Sequence, residues 1–270
     1  MKAPIGVFDS GVGGLSILQA LQRELPQENF VYIADSAYAP YGERDAAFVQ
    51  SRSKALWHTL RYEHHAKTLV VACNTATALA IQQLRDDHPE IAFFGVEPAV
   101  KPAAALSQTK RVGVMATPAT LGSEKFAQLI QSLGEYTEFV LQACEGLADA
   151  IEQQCQDGDD APVRALCEKY VQSMGGFGNQ TGEIDTLVLG CTHYPFALPQ
   201  MREFVGEHVT ILETGLPVAR QVKKVLGESG LLAGSSSREV GKVTLLATGD
   251  AQSLHRAAQM WLPSLRSPQG

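Results

Sequence analysis

The chain has 270 residues, 45% hydrophobic and 19% charged, with a formal net charge of −7 at pH 7. That length buries a core without help from disulfides or metals and is comfortable for two domains, while the acidic balance argues against a general nucleic-acid binder. No apolar run approaches the ~20 residues that span a bilayer, no room for a signal peptide precedes the strand at Ile5, and five irregularly spaced cysteines do not make a secreted disulfide framework, so a reduced, cytoplasmic protein with no membrane partner is expected.

The opening strand, Ile5-Gly6-Val7-Phe8, runs into Asp9-Ser10-Gly11-Val12-Gly13-Gly14. A helix follows on the spacing of Leu15, Leu18, Leu21 and Leu25, and Pro26 stops it. A strand over Phe30 to Ala34 leads into a turn-rich loop, Asp35 to Gly42, and then a long helix around residues 44–65. Thr68 to Ala72 is an unbroken apolar strand ending at Cys73; a helix over 76–87 and a strand from Ile91 to Val96 complete this half. The pattern restarts at Arg111 to Ala116, followed by a helix from about Leu121 to Leu133, a strand from Thr137 to Leu141, and a helix carrying Glu145 and Glu152. Gln156 to Ala161 reads as a polar turn and 174–182 as a Gly-rich mobile piece. Strand 185–190 delivers Cys191; a strand from Val209 to Leu212, a helix from about Leu216 to Leu226, a soft Gly/Ser segment over 227–237, a strand from Val243 to Ala247 and a helix over 251–262 follow.

Alternation of strand and helix predicts an α/β fold with mostly parallel sheets covered on both faces. The two halves share one plan, strand, polar loop, helix, and later strand, Cys, helix, so two pseudo-symmetric α/β domains are expected. The first comprises 1–97 plus 209–270 and carries Cys73; the second comprises 98–208 and carries Cys191. A cleft between them is the expected ligand site.

Thr68-Leu-Val-Val-Ala-Cys73-Asn74-Thr75 and Thr186-Leu-Val-Leu-Gly-Cys191-Thr192-His193 each place a cysteine at the carboxyl end of a buried strand, where open α/β sheets bind ligands. A helix N-terminus there favours thiolate over thiol. Cys144, Cys155 and Cys167, on strand or helix faces, read as buried space-fillers. The glycines of the first turn can aim backbone N–H groups at an anion, but they make neither a dinucleotide fingerprint nor a P-loop. Asp9 can accept from an ammonium, tune a thiol, or cap the helix. Tyr41-Gly42 can offer a backbone N–H to a carboxylate or form an ordinary turn. Asn74, Thr75, Thr117 and Thr192 are short polar groups suited to orienting a small zwitterion. His193 fits either proton transfer or a neutral place in the wall, and Glu152 alone reads as surface. No Cys-x-x-Cys or ligand-spaced His pair supports a metal site.

Phe8-Asp9-Ser10-Gly11-Val12-Gly13-Gly14-Leu15, Tyr38-Ala39-Pro40-Tyr41-Gly42-Glu43-Arg44, Ala72-Cys73-Asn74-Thr75-Ala76-Thr77 and Gly190-Cys191-Thr192-His193-Tyr194-Pro195 together resemble the bacterial glutamate racemases, in order and over nearly the whole chain. The resemblance implies an isomerase of the aspartate/glutamate racemase fold that needs no cofactor and supplies D-glutamate for peptidoglycan. Carried over by position, Cys73 and Cys191 are the two bases, Cys73 working on D-glutamate and Cys191 on L-glutamate. Asp9, Ser10, Tyr41, Gly42, Asn74, Thr75, Thr192 and His193 contact substrate, with Thr117 and Glu152 nearby. One departure is visible: after Cys144 the family often has a proline-containing apolar run, whereas this chain has Glu145-Gly146-Leu147-Ala148-Asp149. No Schiff-base lysine stands out, so no cofactor is expected, and a homodimer is the association carried forward. The competing readings are a relative acting on aspartate or a hydantoin, and a non-catalytic amino-acid-binding module, which has no use for paired thiols.

Overall fold

A computed structural model describes residues 3–233 and 240–262. The chain divides into two compact units, Met1–Val96 with Gly215–Gly270, and Glu97–Thr214. The first unit opens with β1 (Ile5–Asp9), α1 (Leu15–Glu24), β2 (Phe30–Ala34), α2 (Ala46–His58), β3 (Thr68–Val71), α3 (Asn74–Asp87) and β4 (Phe93–Gly95). The second contains α4 (Val100–Leu106), β5 (Arg111–Ala116), α5 (Pro118–Leu121), α6 (Glu124–Gln131), β6 (Glu138–Ala143), α7 (Leu147–Asp157), α8 (Ala161–Ser173), β7 (Thr186–Gly190), α9 (Leu198–Val205) and β8 (Thr210–Leu212). The chain then returns to the first unit with α10 (Gly215–Glu228), β9 (Val243–Ala247) and α11 (Ala251–Trp261).

Each unit is built on one sheet whose strand pairs are all parallel, in the order β4-β3-β1-β2-β9 in the first unit and β6-β5-β7-β8 in the second. Read from the other edge, the first four strands of unit 1 run β2-β1-β3-β4, the same order as β6-β5-β7-β8, so β1 corresponds to β5 and β3 to β7. The α/β class and the internal likeness read from the sequence are therefore present, with β9 added outside β2. The central strands β1, β3 and β7 are buried along their whole length, because helices cover both faces. Edge strands β6 and β9 are only partly covered. In unit 1, Phe8, Ile33, Leu69 and Val71 of the sheet pack with Leu56 and Trp57 of α2 and Ile81 of α3. In unit 2, Val112, Val114 and Val188 pack with Val100 of α4 and Phe126 of α6. Among the described residues, no helix is long and apolar enough to cross a membrane.

The structure differs locally from the sequence reading. The helix expected over 44–65 ends at His58 and passes into a π turn, Thr59–Glu63. The helix expected from Leu121 to Leu133 is two pieces, because Ser123 accepts from the Phe126 N–H and starts α6 anew. Glu145 lies outside the helix that carries Glu152, since Gly146 at φ 72° precedes its first turn. Helices α4, α8 and α9 have no counterpart in the sequence reading. Strand β8 pairs with β7, which keeps 209–214 with the second unit. Of the Gly/Ser segment expected over 227–237, residues 234–237 lie outside those described.

Candidate active site

The strand order creates one reversal point per unit. From β1 the chain crosses to β2 on one side and comes back to β3 on the other, so the loops leaving β1 and β3 diverge at their carboxyl ends. Such a switch point is where open α/β sheets receive ligands. Phe8 pairs with Val71, and the Ala72 N–H donates to the Phe8 carbonyl at 2.8 Å, which sets Asp9 and Cys73 side by side. In unit 2 the equivalent point lies between β5 and β7, where Ala116 pairs with Gly190, and the next residues are Thr117 and Cys191.

In unit 1, Asp9 is completely buried. Its Oδ1 accepts from the Ser10 N–H at 2.6 Å and from the Ser10 hydroxyl at 3.1 Å. The Ser10 Oγ lies 3.7 Å from the Cys73 sulfur. Cys73 is the N-cap of α3, its Sγ accepting from the Ala76 N–H at 3.4 Å, so the helix points its positive end at the sulfur. Asn74 donates through Nδ2 to the Val96 carbonyl at 3.3 Å, which fixes the amide's orientation. Its Oδ1 is buried without a hydrogen-bond partner, and a buried carbonyl oxygen in that state calls for a donor such as an ammonium group. Thr75 is buried beside it. Tyr41 begins a short 3₁₀ turn with Gly42, and its hydroxyl donates to Asp35 Oδ2 at 2.5 Å. Burial and the neighbouring Asp35 and Cys73 push the Tyr41 phenol far up, so it remains a donor.

In unit 2, the Cys191 sulfur lies 3.7 Å from His193 Nδ1, and His193 Nε2 lies 2.7 Å from Glu152 Oε1 on α7. His193 is buried. Burial opposes its charge, but the contacts with Cys191 and Glu152 prevail and hold the imidazole well above the ordinary histidine range. An imidazolium at this place supplies the counter-charge for a thiolate formed on Cys191. Thr192 is buried between the two. Thr117 caps α5, its hydroxyl accepting from the Thr120 N–H at 3.3 Å.

Each sulfur thus heads a short polar chain ending in a carboxylate: Cys73, Ser10, Asp9 in one unit and Cys191, His193, Glu152 in the other. The remaining cysteines lack this. Burial pushes the Cys144 thiol up, and the Cys155 and Cys167 thiols up to about 12, so all three stay protonated. Sequence reasoning named both Glu152 and His193 but not the contact between them, 41 residues apart. It also passed over Asp35 and Arg52; the signal available for Asp35 was an acid at the end of a buried strand, the same context that singled out Asp9.

The family model for Asp/Glu/Hydantoin racemase matches residues 5–222. The glutamate racemase of Pseudomonas entomophila is 43% identical over 266 residues, covering 98% of this chain and 96% of that one. Among solved structures, glutamate racemase RacE1 of Bacillus anthracis superposes with a TM-score of 0.83 at 32% identity, covering 97% of this chain and 94% of that one. Escherichia coli glutamate racemase, solved in complex with L-glutamate and the activator UDP-MurNAc-ala, superposes with a TM-score of 0.82 at 26% identity, covering 97% and 96%.

Proposed function

This chain belongs to the Asp/Glu/Hydantoin racemase family, and from its two half-sites we propose that it interconverts L- and D-glutamate without a cofactor, Cys73 and Cys191 serving as the two bases. The observation that carries the reading is the repeated placement of a thiol at the switch point of each sheet, each tied through a polar neighbour to a buried or half-buried carboxylate. Stereoinversion at an α-carbon needs a base on each face, since a single base tends to return the proton to the face it left. Cys191 as thiolate takes the α-proton of L-glutamate while Cys73 as thiol delivers one to the opposite face; the roles exchange for D-glutamate. His193 and Glu152 hold positive charge beside Cys191, and Ser10 and Asp9 orient the proton at Cys73.

The substrate ammonium is met by Asp9 and Asn74 Oδ1. Carboxylates are met by the N–H groups of the Tyr41-Gly42 turn and by Thr75 and Thr192, whose donors also stabilise the charge that develops on the α-carboxylate as the proton leaves. Thr117 borders the second half-site. The D-glutamate formed serves peptidoglycan synthesis. The compartment we assign is the cytoplasm, in keeping with five free cysteines, and the association we assign is a homodimer, which sedimentation of the purified protein tests.

Circular dichroism of L-glutamate with purified protein and no added cofactor tests the function directly: the signal decays to zero as the racemate forms. An unchanged signal would sink it. In D2O, early deuterium enters Cα of the product enantiomer; equal early labelling of substrate and product would replace the two-base scheme with a single base.

A further inference from the structure

Asp35 follows the end of β2 and is completely buried, yet both carboxylate oxygens are engaged. Oδ2 accepts from the Tyr41 hydroxyl at 2.5 Å and from Arg52 Nε at 2.9 Å, while Oδ1 accepts from the other fork nitrogen of Arg52 at 2.8 Å. This is the two-pronged geometry that a guanidinium makes and an ammonium cannot. The Asp35 N–H donates to the backbone carbonyl of Asp9 at 2.9 Å, so the carboxylate is anchored to the strand end that carries the Cys73 partner. Arg52 comes from α2, and its guanidinium lies 3.6 Å from the centre of the Tyr38 ring, on the other flank of the same loop. One cation therefore grips the loop at Tyr38 directly and at Tyr41 through Asp35.

We infer that Arg52 is a positioning residue for substrate binding: by clamping Asp35 it fixes the Tyr41 hydroxyl, and with it the Tyr41-Gly42 turn whose N–H groups receive a substrate carboxylate. The inference rests on the proposed function of that turn. Without the guanidinium, Asp35 is left buried and uncompensated, so its carboxylate turns toward solvent or draws in water. Either event changes what the Tyr41 hydroxyl finds as its acceptor, and the turn loses its register. Arg52 touches neither sulfur's polar chain, so the proton-transfer step itself is spared.

The test is steady-state racemisation of glutamate by wild type, Arg52→Gln, Arg52→Lys, Tyr41→Phe and the Arg52→Gln/Tyr41→Phe double variant, with circular dichroism confirming the fold of each. Arg52→Gln raises KM about tenfold and leaves kcat within about threefold. Arg52→Lys, which keeps charge but loses the fork, falls between it and wild type. In the Tyr41→Phe background, adding Arg52→Gln raises KM by clearly less than it does in wild type, because the route through Asp35 is already cut and only the Tyr38 contact is left to lose. A purely structural Arg52 would give the same KM increase in both backgrounds, and that result overturns the inference, as does an unaltered KM in Arg52→Gln. If Arg52→Gln does not fold, Arg52→Lys in the two backgrounds decides in the same way. Wild-type protein that fails to racemise glutamate strikes the proposed function instead, whereas an active wild type with an Arg52-independent KM strikes only this assignment.

Discussion

Cys73 holds two positions at once, as a chemical group and as the cap of α3, and substitution separates them. Ser at an N-cap is among the best residues and Ala among the worst, a difference of about 1 kcal/mol. Cys73→Ser is expected to be at least as stable as wild type, and Cys73→Ala less stable by roughly that amount, while both lose racemase activity by about 10²–10⁴-fold; thermal melts alongside activity assays check this. On the other side, His193 is held protonated in the folded state, whereas an unfolded histidine releases its proton near pH 6.5. The stabilisation from its contacts is therefore complete below about pH 6.5 and is lost as pH rises through the higher folded-state value. Urea unfolding across that range is expected to show this decline in wild type, and Glu152→Gln to flatten it.

The strand–loop–helix elements leave no slack next to the sulfurs. A Cβ added at Gly14 would stand 2.7 Å from Asp9 Cβ and 2.9 Å from the Tyr32 hydroxyl. One added at Gly190 would stand 2.8 Å from Ala116 Cβ and 3.0 Å from the Met115 carbonyl. Gly14→Ala therefore displaces Asp9: we expect a lower melting temperature, about 1–3 kcal/mol of lost stability, and a fall in kcat/KM of at least about tenfold. The buried strands were legible in the sequence because parallel strands covered on both faces leave unbroken apolar runs such as Thr68 to Val71. The helix α8 was not read, although Val163, Cys167, Tyr170 and Val171 keep helical spacing, because Arg164, Glu168 and Lys169 fall between them and the polar run Gln156 to Asp160 precedes it. The cysteines, Asp9 and His193 were legible as residue types at strand ends. The links from Glu152 to His193 and from Arg52 to Asp35 were not, since no local pattern says which distant helix will face a given strand end.

At the scale of the whole molecule, the second unit is one continuous stretch with its own sheet and core, whereas the first is assembled from two stretches. Expressed alone, Glu97–Thr214 is expected to melt cooperatively by circular dichroism and to show no racemase activity, holding only one of the two thiols; a non-cooperative melt would show that its core is insufficient. The discontinuity also bears on biogenesis. Strand β2 offers its outer edge to β9, and the Ala37 N–H of the following loop donates to the Thr248 hydroxyl at 3.3 Å. A ribosome adding about 5–20 residues per second reaches β9 roughly 10–40 s after β2. For that interval the nascent sheet has an unsatisfied border, the kind of ledge on which chains stick to one another. Slowing translation within the inserted stretch would lengthen the exposure, so synonymous codon usage there, which leaves every side chain unchanged, becomes a determinant of how much enzyme a cell recovers in usable form.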